Sequence, residues 1–154
     1  EQERRLRAGT ENVSGIVAAG YAIEESVSEM TTNAKLLTTM IEATVKGIKE
    51  KIPVVRVNGY NESRLPGIVN LGFDGISGES LMHLLDLKGI CVSTSSACNS
   101  GKDEPSHVLL ALGLSEQQAK STIRISYGKY NSVGEVDTVV TAIHDAYEKI
   151  IANR

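Results

Sequence analysis

The spacing of apolar residues opens the chain with a helical signal. Ile16, Gly20, Ile23, Val27 and Met30 recur at intervals of three and four, so they share one helix face. Thr10 is the expected N-cap of a helix beginning near Glu11 or Val13. A second helix is expected from about Asn33, with Leu37, Met40, Ile41, Val45 and Ile48 on one face and Pro53 ending it. The period then changes. Residues 54–57 read as a short strand, "NGYNESRLPG" as a loop, and residues 68–73 as a strand with Val69, Leu71 and Phe73 on one side. A short helix from Ser77 or Gly78 carries Leu81, Leu84 and Leu85 and closes at Gly89; residues 90–93 read as another strand. After a Ser-rich loop, Glu104-Pro105 looks like a helix start, and "SEQQ" from Ser115 is a capping box. Residues 122–127 alternate, with Ile123, Ile125 and Tyr127 facing one way and Arg124 and Ser126 the other. Ser132 and Glu135 form a second capping box, before a helix carrying Val136, Val139, Val140, Ile143, Tyr147, Ile150 and Ile151. The expected fold class is α+β: a small mixed or antiparallel sheet of about three to four strands with helices packed on one face, leaving the other for a partner.

Composition narrows the function classes. A length of 154 residues suits one domain, and 41% apolar with 23% charged residues is ordinary for a globular protein. A net charge of −3 argues against a nucleic-acid or anionic-membrane surface, and no apolar run is long enough to span a bilayer. The opening "EQERRLR" is not a signal peptide and has no initiator Met, so the chain reads as part of something longer, with residues 1–30 as a connecting segment and helix. Two cysteines, Cys91 and Cys98, make no disulfide framework, and with His83, His107 and His144 they form no metal spacing, so no metal site is expected. A reducing, cytoplasmic compartment is the default for such a chain.

Four places could carry chemistry. Cys98 lies in "VSTSSACNSG", a tract with almost no apolar neighbours, and residues 94–103 read as a mobile loop. Such a setting gives a thiolate access to a target, but a surface thiol without a role fits the composition equally well. Cys91, flanked by Ile90 and Val92, reads instead as a small buried hydrophobe. Arg124 points away from the core on its strand, which suits a bidentate grip on a carboxylate; alone it reads rather as an ordinary solvated arginine on an exposed sheet face. "RAGTEN" puts Gly9 and Thr10 at a helix start, an arrangement that can serve an anion but alone reads as plain N-capping. His107, in "EPSHVLLALG", reads as a structural histidine at a helix start.

Five segments, "RAGTEN", "RLPGIVNLGF", "LDLKGICVSTSSACNSG", "EPSHVLLALG" and "TIRISYG", occur in this order. Together they resemble the C-terminal part of the cysteine desulfurases of the NifS/IscS type, which are pyridoxal-phosphate enzymes of the class V aminotransferase-like fold. The resemblance runs over nearly the whole chain and favours the long-loop branch of that family. It implies that Cys98 is the catalytic cysteine that takes sulfur from L-cysteine as a persulfide, leaving L-alanine. It implies that Arg124 holds the substrate carboxylate, and that Thr10 reaches the cofactor phosphate of the neighbouring subunit in a homodimer. The implied partners are L-cysteine and a sulfur acceptor, an Fe–S scaffold or a tRNA-thiolation enzyme, with Cys98 a secondary candidate for a transient Fe–S ligand. The family usually has Gly where this chain has Ser95 and Ser where it has Thr94, which bears on loop reach. No "His-Lys" phrase follows a strand, so the cofactor lysine is expected upstream of these residues. The isolated chain is then expected to hold no pyridoxal phosphate and to be inactive alone. Two alternatives stand beside this: a self-standing sulfur-relay module that accepts sulfur on Cys98, and a selenocysteine lyase.

Overall fold

Two antiparallel pairings build the sheet. In the computed structural model, which describes residues 6, 8–59, 64–94 and 105–153, β1 (Arg56–Asn58), β2 (Ile68–Gly72) and β3 (Thr122–Ser126) lie in the order β1-β2-β3. Val57 pairs with Leu71, and Leu71 with Ile123; Val69 pairs with Ile125. Directly opposed residues of antiparallel strands share a face, so these side chains make one apolar layer. Among the described residues, five α-helices accompany the sheet: α1 (Val13–Lys51), α2 (Gly78–Asp86), α3 (His107–Ala111), α4 (Glu116–Lys120) and α5 (Val136–Ala152). Phe73, Leu71 and Ile123 are fully buried with Met40 and Ile41 of α1, Leu81 and Leu85 of α2, and Ile143 of α5. This is the expected α+β class, with an antiparallel sheet.

Local chemistry explains several element ends. Ser115 and Gln118 exchange side chain-to-backbone hydrogen bonds of 3.2 and 3.1 Å, the capping box expected for α4. Ser77 caps α2 by accepting from the Ser80 N–H at 3.3 Å. Gly78 opens α2 where the helix passes the start of β3. A Cβ there would collide with the Thr122 carbonyl and sit 3.0 Å from the Lys120 oxygen, so only glycine fits. Thr44 donates to the Met40 carbonyl at 2.8 Å, which leaves its oxygen to accept from the Tyr127 hydroxyl at 2.9 Å. That bond fastens α1 to the chain leaving β3. Burial pushes the Tyr127 phenol up from its ordinary range.

The observed elements correct the sequence expectations in five places. The two expected opening helices are one, α1, unbroken through "MTTN". That stretch has no Pro or Gly, the spacing Met30, Ala34, Leu37, Ile41 continues across it, and Asn33 donates to Glu29 within the helix at 3.3 Å. The cap is Asn12 rather than Thr10: its Oδ1 accepts from the Gly15 N–H at 3.1 Å and its carbonyl from Ile16 at 2.9 Å. The first strand is shifted to Arg56–Asn58, because Val55 still bonds back to Ile52 at 3.1 Å. Residues 90–93 form no strand; only Ser93 makes a bridge, to Arg124. Finally, α3 begins at His107, with Ser106 as its cap, two residues beyond Pro105; Glu104 of the expected start lies outside the described residues.

The chain divides into two compact units, one ending at Asn33 and one beginning at Ala34. In the first, Ile16, Ile23, Val27 and Met30 are each more than 60% exposed. The second holds the sheet and the core. Among the described residues, no helix is long and apolar enough to cross a membrane.

Candidate functional site

Alternation along each strand sends one set of side chains into the core and the other set to the opposite sheet face. On that opposite face a row of polar side chains crosses the sheet. Asn58 of β1 stands opposite Asn70 of β2, Asn70 opposite Arg124 of β3, and Arg124 opposite Ser93. The last pair exchanges two backbone hydrogen bonds, Ser93 N–H to the Arg124 carbonyl at 3.1 Å and Arg124 N–H to the Ser93 carbonyl at 2.6 Å. The chain that runs on to Thr94 therefore leaves the sheet beside Arg124. Arg124 is half-buried, and its guanidinium makes no hydrogen bond or ion pair among the described residues.

A second arginine on this face is fully engaged. Arg56 forks onto Asp74, with Nε donating to Oδ2 at 3.0 Å and Nη2 to Oδ1 at 2.6 Å. Its Nη1 donates to Asn58 Oδ1 at 3.1 Å, and Asn58 Nδ2 donates to Asn70 Oδ1 at 2.7 Å. Gly72 allows this arrangement: a Cβ there would stand 2.9 Å from Arg56 Nη2. The Arg56 hydrogen bond holds the Asp74 carboxyl below its usual range. Sequence alone does not single out Arg56, Asn58 or Asn70. Their alternation with Val55, Val57, Val69 and Leu71 is the available signal for the face they occupy.

The residues expected from sequence to carry chemistry fall in different parts of the chain. Cys98, with residues 95–103 of its loop, lies outside the described residues. Arg124 occupies the polar row. Thr10 is exposed, two positions ahead of the Asn12 cap, and follows Gly9 at φ 104°. It belongs to the unit ending at Asn33, whereas Arg124 belongs to the other. His107 is exposed at the first turn of α3. Cys91 is not a buried hydrophobe: it is a free, exposed thiol outside any strand. Ile90 and Val92 on either side of it pack against the core, while Cys91 itself faces outward. Among the described residues, no group of three or more His, Cys, Asp or Glu could hold a metal ion.

A lysine that holds pyridoxal phosphate as a Schiff base works in a desolvated pocket. Every described lysine is exposed, and Lys88 is already paired with Asp145 at 2.8 Å. No described lysine has the desolvated setting that such a Schiff base needs.

The family model for aminotransferase class V matches residues 1–139. The chain belongs to that family. Within it, the chain is 42% identical over 97% of its length to the cysteine desulfurase IscS of Methanosarcina thermophila, covering 37% of that protein. It is 40% identical over 98% of its length to a cysteine desulfurase of Nostoc sp., covering 38%. Among solved structures, a NifS-like protein matches with TM-score 0.81 and 35% identity over 96% of this chain and 37% of that one. A NifS-like protein from Rickettsia africae matches with TM-score 0.81 and 30% identity, over 96% of this chain and 38% of that one. The class V chain thus spans just over a third of the length of the curated relatives it matches.

Proposed function

We propose that this chain is the C-terminal part of a cysteine desulfurase, supplying the substrate's carboxylate anchor and the cysteine that carries away its sulfur. The observation that carries the proposal is Arg124. It is a half-buried cation on a rigid strand, without an ion-pair partner among the described residues, and it is bonded through its backbone to Ser93, where the Cys98 loop begins. A guanidinium in that state is matched by a carboxylate, which it grips through two parallel N–H donors. Cys98 follows Thr94 by four positions, a tether that reaches at most about 14 Å when extended. That reach supports delivery of the Cys98 thiolate to a substrate held by Arg124. The similarity of nearly the whole chain to proteins named cysteine desulfurase supports the same reading.

The thiolate of Cys98 attacks the sulfur of bound L-cysteine, forming an S–S bond as the substrate C–S bond breaks. The substrate carbon gains a proton and leaves as L-alanine, and Cys98 keeps the sulfur as a persulfide. Carbon is reduced and sulfur oxidised within the same pair of reactants, so no further redox partner is required. Thiol exchange then passes the sulfur to an acceptor, an Fe–S scaffold or a tRNA-thiolation enzyme. Class V aminotransferases are pyridoxal-phosphate enzymes, and the lysine that would hold the cofactor is not among the described residues. This chain's part is therefore the carboxylate, the sulfur and, through Thr10, the cofactor phosphate of the partner subunit in a homodimer. The 154 residues alone turn over no cysteine. The test is incubation of the intact protein with ³⁵S-cysteine, with alanine counted and label mapped by peptide. Equal amounts of alanine and label on the Cys98 peptide are expected; label elsewhere, with alanine formed normally by Cys98→Ala, overturns the proposal.

A further inference from the structure

We infer that Asn70 is a second ligand for the carboxylate that Arg124 binds, oriented for that task by the Asp74–Arg56–Asn58 chain. This rests on Arg124 as the carboxylate anchor and extends that role to a neighbouring residue. The direction of each hydrogen bond along the chain is fixed by its chemistry. Asp74 as a carboxylate only accepts, and Arg56 only donates. Arg56 Nη1 lies 3.1 Å from an Asn58 side-chain atom, which must therefore be the amide oxygen. The Asn58 NH2 group is then the one that faces Asn70, at 2.7 Å, and the Asn70 atom receiving it must be its oxygen. The Asn70 NH2 group is left directed away from Asn58. It makes no hydrogen bond among the described residues. Its neighbour on the other side of the row is Arg124.

Two donor groups in cross-strand register cannot satisfy each other. An amide NH2 and a guanidinium both offer hydrogens and neither accepts. Together they are complementary to one planar anion with two oxygens, and the face already displays such a pairing in the Arg56–Asp74 fork. Arg56 has its carboxylate within the chain. The α-carboxylate of the substrate takes the equivalent position over Arg124 and Asn70. Gly72 belongs to the same device, since a side chain there would displace Arg56 and release the orientation of Asn58.

The experiment uses the intact protein with its cofactor. Binding of L-alanine, which has the α-carboxylate and no thiol, is measured by calorimetry, and cysteamine, which has the thiol and no carboxylate, is measured as a competitive inhibitor. Asn70→Ala is expected to weaken L-alanine about tenfold and to raise the KM for cysteine more than it changes kcat. Asn70→Asp, which turns the same shape into a like charge, is expected to weaken L-alanine about a hundredfold. Cysteamine binding stays unchanged in both. Asn58→Ala, which leaves Asn70 in place but unoriented, weakens L-alanine about threefold and keeps the question answerable if the Asn70 variants fold poorly. If Arg124→Ala loses L-alanine while the Asn70 and Asn58 variants bind it normally, this inference is overturned and the Arg124 reading stands. The role of Asn70 is equally overturned if its variants weaken cysteamine as much as L-alanine, since the effect is then structural. If Arg124→Ala itself binds L-alanine normally, the Arg124 reading is overturned together with this one.

Discussion

The two faces of the three-stranded sheet are built from alternate residues of the same strands, yet they answer to opposite rules. Toward the helices, Val69, Leu71, Ile123 and Ile125 lose nearly all contact with water, and a single volume change there is felt by the whole core. On the other face, Asn58, Asn70 and Arg124 keep partial exposure. Asn58 and Asn70 have polar partners, while Arg124 keeps binding capacity among the described residues. The apolar face holds the strands in register. The polar face uses that register to set Asn70 beside Arg124 and Arg124 beside Ser93, three positions far apart in sequence. A fold that needed both faces for its core could not present such a row.

The largest effect should come from breaking the apolar face. Leu71→Ala removes a fully buried side chain paired with both Val57 and Ile123, and denaturant unfolding should show a loss of about 2–5 kcal/mol. Gly72→Ala, one residue along on the opposite face, should cost only about 1 kcal/mol, because the atoms it crowds first are the end of the flexible Arg56 side chain. Its signature lies elsewhere. NMR titration should find the Asp74 carboxyl returned toward its ordinary range as Arg56 is pushed away.

The smallest effect is the pH dependence of the Arg56–Asp74 pair itself. The Arg56 hydrogen bond lowers the Asp74 pKa in the folded state, so the pair stabilises the fold fully above the ordinary carboxylate range. That contribution is lost as pH falls through the depressed Asp74 value. The Asp74 side chain is 54% exposed, so solvent screening limits the contribution to about 0.5 kcal/mol at most. Unfolding curves of wild type and Asp74→Asn should differ by that amount near neutral pH and converge in acid.

Sequence patterning reaches one face more easily than the other. The spacing that places Val69, Leu71, Ile123 and Ile125 inward is local, as are the capping boxes at Ser115 and Ser132, and all of these are legible. Arg124 is legible as an outward residue for the same reason. Asn58 and Asn70 are not, because their meaning lies in cross-strand register, and strand pairing is not written in the period of either strand. The unbroken α1 is hidden by Thr31, Thr32 and Asn33, residues of weak helix propensity, although no Pro or Gly interrupts the chain there and the apolar spacing continues across them. Cys91 is misleading because its apolar neighbours suggest burial, whereas those neighbours take the core contacts and leave it exposed between them. The outward position of Arg124 can thus be read from one strand, while the neighbours it meets across the sheet require the folded structure.

The comparison of the two faces is tested most directly by one variant measured twice. Arg124→Ala in the intact protein should unfold within about 1 kcal/mol of wild type, as expected for a half-exposed residue outside the core. The same variant should lose about a hundredfold or more in kcat/KM for L-cysteine, through the loss of charge-assisted hydrogen bonds to its carboxylate. A variant that is just as stable and turns over cysteine as well as wild type would contradict the assignment of this face to substrate binding.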